Sequence, residues 1–290
     1  MERLPAVRLP GASGPRHLCV ALPGMESVMI ENLLPYLRCP RCAGTDLRVA
    51  AAGISCRPCD VHFPVREGIL DLLGDGTAEV ITPFQRIMQT QLVVSVYERL
   101  WRRLGYFVAS SRSFEKELQT IVDFQQGRGA ERVLDLACGT GVFTRPLARR
   151  TQGIVIGLDL SWPMLRKARR LADRDGLQNI VLIRGTAYRL PFIAGALPYI
   201  NCCGALHLFD RPDLALGEIE RVLHRSGHLT VQTTIRPEHS GGIAYVLEKF
   251  IRFGFFSETG LREQVRLHGL KMLASERHRI SYTFLARHIS

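Results

Sequence analysis

Four cysteines in two equally spaced pairs are the first residues equipped for chemistry: Cys39-Pro-Arg-Cys42 and Cys56-Arg-Pro-Cys59, with thirteen residues between the pairs. Each pair brings two thiolates to one side of a tight turn. Two such turns face to face hold four sulfurs at about 2.3 Å around a zinc ion. Four protein ligands leave no position for water or substrate, so this zinc is structural. A redox dithiol is the competing chemistry, but it is normally a single pair beside a strand-helix-strand unit. His62 is a candidate to replace one thiolate.

A second group surrounds the run Val133-Leu134-Asp135-Leu136-Ala137-Cys138-Gly139-Thr140-Gly141. Glycines there let backbone approach a ligand closely. Twenty residues beyond Gly139 another apolar run closes at Asp159, whose carboxylate can accept both hydroxyls of a ribose. Together these predict a nucleoside-containing cofactor. A dinucleotide would prefer a third glycine where Thr144 stands, so that helix and strand could pack around a pyrophosphate. An acid inside the first strand, Asp135, also suits a cofactor that bears an amino group. S-adenosylmethionine satisfies both conditions; a dinucleotide and a ligand-free structural turn are the alternatives that spacing leaves open.

The elements that must position these groups follow from periodicity. From Arg132 onward, apolar runs alternate with helical patterns, which implies an α/β architecture with a parallel sheet covered by helices on both faces. Strands are expected near 132–136, 153–159, 180–184, 198–204 and 228–235, with a final pair near 270–275 and 281–287. Upstream, His62 to Leu73 alternates into a strand and turn that complete a small metal ribbon. Residues 83–126 read as helical, with Met88, Leu92, Val96, Leu100 and Trp101 at helical intervals. The expected organisation is a leader over 1–28, a zinc ribbon over 29–76, a helical lid or linker over 77–128, and a cofactor domain over 129–290. Met25 and Met29 lie just before the ribbon, so residues 1–24 are a loosely ordered leader or a start-codon artefact.

Composition bounds the class. The chain has 290 residues, 46% hydrophobic and 22% charged, which excludes fibres and disordered tails. Its net charge of +11 belongs to the second part: residues 1–80 hold eight Arg and nine acids, the remainder thirty bases and eighteen acids. The basic run Arg166, Lys167, Arg169 and Arg170 is usually a solvated face, so nucleic acid is the less favoured partner. Leu190 to Phe209 is uncharged but is interrupted by Pro191, Pro198, Asn201 and His207, which fits a loop and one buried strand better than a membrane span. With no apolar signal core in the first 24 residues, a reducing, cytoplasmic setting is expected.

In this order of segments the chain resembles the class I S-adenosylmethionine-dependent methyltransferases, from about residue 83 to its end. The matching segments are Val133 to Gly141, Gly157-Leu-Asp159-Leu-Ser161 with Pro163-Met164-Leu165, Arg189-Leu190-Pro191-Phe192, and Glu218-Ile-Glu-Arg221-Val222-Leu223. It is similar in particular to methyltransferases of plant chloroplasts and bacteria that combine a zinc-ribbon start with a helix like Tyr97-Glu98-Arg99-Leu100-Trp101-Arg102 and a strand end like Gly204-Ala205-Leu206-His207. The resemblance implies a Rossmann-like, seven-stranded sheet. It also implies that Asp135, Ala137, Gly139 and Gly141 line the methionine end of the cofactor, that Asp159 holds the ribose, and that Leu160 and Met164 flank the adenine. Thr186 and Ala187 occupy the adenine-edge position, where the family usually has an acid before the apolar residue. Leu197-Pro198 and Arg225-Ser226-Gly227 depart from the family's Phe-Asp and Pro-Gly-Gly.

Methyl transfer needs a nucleophile held in line at about 3 to 3.5 Å, and orientation supplies much of the acceleration. The best-placed candidate base is His207, with Tyr97 a second candidate on a helix that closes the site. Cys202 adjoins the pocket and counts among the cofactor-lining positions, but a strand cysteine is normally a buried hydrophobe and its thiol is assigned no chemistry. The apolar segment near 236–256 reads as a substrate cover. The expected function is methyl transfer to a small, largely apolar metabolite. The alternatives are an RNA base methyltransferase with a zinc module, and a protein of this fold that binds the cofactor without transferring methyl.

Overall fold

The computed structural model describes residues 25–73, 110–125, 131–237 and 254–289. In chain order the elements are α1 (Met25–Leu33), β1 (Leu47–Ala50), β2 (Gly53–Cys56), β3 (Val61–Arg66), β4 (Ile69–Asp71), α2 (Phe114–Gln125), β5 (Arg132–Leu136), α3 (Thr144–Arg150), β6 (Ile154–Asp159), α4 (Trp162–Arg174), β7 (Ile180–Arg184) and β8 (Leu197–Cys203). They continue with α5 (Pro212–Val222), β9 (Leu223–Thr234), α6 (Glu258–Leu267), β10 (Leu270–His278) and β11 (Ser281–His288). Among the described residues the strands form one sheet, ordered β1-β2-β3-β4-β7-β6-β5-β8-β9-β11-β10. The strands from β4 to β9 run parallel. β11 and β10 close that side antiparallel. β5 to β8 are buried along almost their whole length, as strands covered on both faces must be.

The seven strands from β7 to β10 are those expected, and the ribbon joins them directly. Its last strand, β4, pairs in parallel with β7 and extends the cofactor sheet by one strand. The β3–β4 hairpin turns over Glu67 and Gly68, both left-handed at φ 53° and 71°, the two-residue geometry whose twist matches paired strands. Beyond it, Ile69 belongs to the core that holds Leu165 and Leu182, and Leu70 to the core that holds Ile156 and Ile183. Burying each such side chain stabilises the fold by about 1.5–3 kcal/mol.

A second joint holds the cysteine turn. Leu37 bridges Phe192, the Arg38 N–H donates to the Pro191 carbonyl at 3.1 Å, and the Ile193 N–H donates to the Tyr36 carbonyl at 2.9 Å. Glu218 on α5 collects Arg38 at 3.3 Å, Arg221 at 2.6 Å and the Leu190 N–H at 2.7 Å. These contacts hold its carboxyl below the usual range against the opposing effect of burial.

β9 starts at Leu223, five residues before the expected 228, because α5 runs into it without a turn residue. Of the divergent Arg225-Ser226-Gly227, the glycine is the part that matters. A Cβ at Gly227 would meet the His224 and Pro198 carbonyl oxygens at 2.8 and 2.9 Å. The uncharged run from Leu190 resolves into a loop and the buried strand β8. No helix among the described residues is long and apolar enough to cross a membrane. Residues 1–24, the helix positions Tyr97, Glu98 and Trp101, and most of the cover segment 236–256 lie outside the described residues.

Candidate functional site

The sheet order reverses at β5, with β6 on one side and β8 on the other, so the crevice at the carboxyl ends of these strands is where an open α/β sheet takes a ligand. β5 leads into Ala137, Gly139 and Gly141, all with positive φ. A Cβ added at Gly139 would meet nothing within 4 Å, so the loop presents bare backbone to open space. Across the crevice Asp159 ends β6. Its Oδ2 accepts the Gly139 N–H and its Oδ1 the Ser161 N–H, both at 2.8 Å. Desolvation pushes the Asp159 carboxyl above its ordinary pKa, and N–H donors from Ser161, Gly139 and Leu160 oppose that shift.

Beneath the loop lies a buried polar chain. Asp135, 1% exposed, accepts from Thr144 Oγ1 at 2.5 Å and from Asn201 Nδ2 at 2.6 Å. The Cys203 thiol donates to Asn201 Oδ1 at 3.0 Å. Thr144, conspicuous in sequence as a missing glycine, therefore has a task at the start of α3: it ties that helix to the first strand. In the sequence Asn201 is an interruption of an apolar run, and no sequence signal links it to Asp135.

Just beyond Asp159, Ser161 caps α4 by accepting the Met164 N–H at 3.4 Å. Met164 is buried and Leu160 half-buried. Thr186 follows β7, and its hydroxyl oxygen already accepts the Tyr188 N–H at 3.1 Å, leaving one lone pair. Ala187 packs against the larger core. The Tyr188 and Phe209 rings meet edge-on, 6.0 Å between centroids, an aromatic pair missing from the sequence reading. Cys202 is fully enclosed, and burial pushes its thiol up to about 12, so only its backbone is available at the strand end.

His207 lies in a one-turn 3-10 segment, Leu206–Leu208, just past β8. It is 9% exposed, its Nδ1 sits 3.4 Å from Thr233 Oγ1, and its carbonyl accepts the Gly254 N–H at 2.9 Å. Burial pushes its pKa down to about 3. The ring is neutral at physiological pH and is poorly matched to the base role expected of it. The two ends of the cover segment meet beside it, where Ile235 bridges Phe256 and the Arg236 N–H donates to the Phe256 carbonyl at 2.8 Å. Tyr97, the other candidate, falls outside the described residues.

The four cysteines do come together. Their sulfurs all lie within 4.8 Å of one another, with Cys39 to Cys59 at 3.6 Å and Cys42 to Cys56 at 3.5 Å, close to the roughly 3.8 Å edge of a tetrahedron with about 2.3 Å metal–sulfur bonds. The Arg41 and Gly44 N–H groups point at the Cys39 and Cys42 sulfurs, each at 3.4 Å. Four sulfurs with backbone donors behind them fit a soft tetrahedral cation. His62 is not part of the cluster. It is exposed on β3, with its Nδ1 3.1 Å from Ser55 Oγ, because strand alternation turns it away from the turns that carry the thiols.

Residues 133–227 match the family model described as a methyltransferase domain. An uncharacterised chloroplastic methyltransferase of Arabidopsis thaliana is 32% identical over 196 residues, 64% of this chain and 55% of that protein. Demethylmenaquinone methyltransferase of Thermus thermophilus is 36% identical over 126 residues, 43% of this chain and 57% of that protein. The chain thus spans little more than half the length of these relatives. Geranyl diphosphate C-methyltransferase of Streptomyces coelicolor, at 13% identity, shares the fold with a TM-score of 0.55 over 60% of this chain and 76% of that one. By sequence and by fold, the chain carries a class I S-adenosylmethionine-dependent methyltransferase domain.

Proposed function

We propose that the chain transfers methyl from S-adenosylmethionine to a small, largely apolar metabolite. The observation that carries this reading is the pairing of a bare-backbone glycine loop with Asp159, whose two oxygens are pre-aimed by N–H groups from both sides of the crevice. When bound, S-adenosylmethionine supplies an electrophilic methyl on a sulfonium. Asp159 holds the ribose hydroxyls, Leu160 and Met164 flank the adenine, and Thr186 and Ala187 border its edge. Ala137, Gly139 and Gly141 admit the methionine end, with Asp135 holding the loop through Thr144 and Asn201, and the Cys202 backbone lining the strand end. His207, neutral and buried, serves as wall and hydrogen-bonding group, so orientation of the acceptor carries the chemistry.

The acceptor class rests on the apolar surroundings of the crevice, including Tyr188 and Phe209, and is compatible with a relative named for demethylmenaquinone. The Cys39, Cys42, Cys56 and Cys59 cluster holds zinc in a structural role. On the α4 run, Arg166 pairs with Glu67, and Arg169 is buried and pairs with Asp173, so these charges are already engaged, which supports a structural run over an RNA surface. The test is incubation with S-adenosylmethionine labelled in its methyl group and a panel of apolar hydroxylated aromatics and quinols. Label in the organic extract supports the reading; label confined to added RNA contradicts it.

A further inference from the structure

The β3–β4 hairpin reaches the loop that carries Asp159. Asp71, the last residue of β4 and 1% exposed, pairs with Arg184 at the end of β7 at 3.2 Å. Arg184 Nε donates to the Leu160 carbonyl at 3.3 Å, and its guanidinium lies 5.3 Å from the Trp162 ring centroid. That carbonyl belongs to the same peptide group as the Ser161 N–H, which holds Asp159 Oδ1 at 2.8 Å. A peptide group is planar and moves as one unit. Gripping its oxygen therefore aims its N–H, and the N–H aims the carboxylate.

Only arginine can do both jobs at once, because its fork presents Nη to the carboxylate and Nε to the carbonyl; lysine offers a single head. Asp71 orients that fork from below and restrains a side chain that would otherwise sample many rotamers. The line from ribbon to cofactor crevice is thus Asp71, Arg184, the Leu160–Ser161 peptide, Asp159. We propose that Asp71 is a positioning residue of the cofactor site, by which the cysteine ribbon sets the affinity for the adenosine end of the cofactor. This rests on the reading of the crevice as an S-adenosylmethionine site.

The test uses the full chain and calorimetry with S-adenosylhomocysteine and with 5′-methylthioadenosine, well below the Tm of every variant. Asp71→Asn and Arg184→Lys each weaken both ligands about tenfold, and the double variant no more than either single, since both break one line. Glu67→Gln leaves both affinities unchanged, because its exposed pair with Arg166 at 2.8 Å does not touch Leu160. A lower Tm with unchanged affinities would make Asp71 purely structural and overturn the proposal. Should Asp71→Asn not fold, Arg184→Lys decides alone. Wild-type protein that binds neither ligand overturns the functional reading and this inference together; wild-type binding with unaltered variants overturns the inference only.

Discussion

Asp159 Oδ2 accepts the Gly139 N–H at 2.8 Å, which joins the ends of the neighbouring strands β5 and β6 beside the point where the strand order reverses. A carboxylate and a glycine loop twenty residues apart in sequence thus form one preorganised surface before any ligand arrives.

Replacing Asp159 with Ala removes a charged acceptor of two ribose hydroxyls. A hydrogen bond to a charged group contributes about 1.5–3 kcal/mol, so S-adenosylhomocysteine should bind at least tenfold more weakly, as read by calorimetry. Because the carboxyl titrates above its ordinary range, wild-type affinity is lost as pH falls through that raised pKa. The Asp159→Ala variant should lose this acid-side dependence.

Gly139→Ala separates folding from binding. An alanine at φ 55° costs about 1–2 kcal/mol, visible in urea denaturation. Its Cβ meets no protein atom within 4 Å but occupies ligand space, so cofactor affinity should fall more than tenfold. Full affinity would show that no ligand approaches this loop.

Thr144→Val keeps the shape and removes a donor from buried Asp135. The expected loss is about 1–3 kcal/mol of stability, or about 2–4 °C in Tm for each kcal/mol. Calorimetric or optical melting checks it.

The purified chain should carry one zinc, measured by plasma mass spectrometry. Cys39→Ser should lose the metal and lower the Tm, and should raise the cofactor Kd while leaving kcat at saturating cofactor unchanged. Iron in the site, or a stable metal-free wild type, would contradict the structural zinc.

His207 makes stability depend on pH. Its folded pKa of about 3 lies below the ordinary 6.5, so the unfolded chain binds the extra proton between those values. Its contribution is complete above about pH 6.5 and falls toward pH 3, by at most about 1.4 kcal/mol per pH unit. In urea titrations from pH 7 to 5, His207→Asn should show a shallower decline. The pH–rate profile of wild type should lack an inflection from this ring near 6.5.

The parallel strands were legible because each is an apolar run closed by a turn signal, and Arg132–Leu136, Ile154–Asp159 and Ile180–Arg184 lie almost where periodicity puts them. The cysteine cluster was legible because its spacing is local. Asp71 was not: β4 is three residues long, and its partner Arg184 is 113 residues away, so only the finished sheet reveals the pair. Asn201 was hidden for the same reason, its task being set by Asp135 66 residues earlier. His207 was found by position, but its enclosure by Thr233 and Gly254 depends on chain that sequence cannot bring near.

Calorimetric titration of the folded, metal-replete chain with S-adenosylhomocysteine bears most directly on the crevice. One site per chain, with binding abolished or severely weakened in Asp159→Ala, is the predicted result. Binding of neither S-adenosylhomocysteine nor S-adenosylmethionine, or equal binding by wild type and Asp159→Ala, would contradict the assignment.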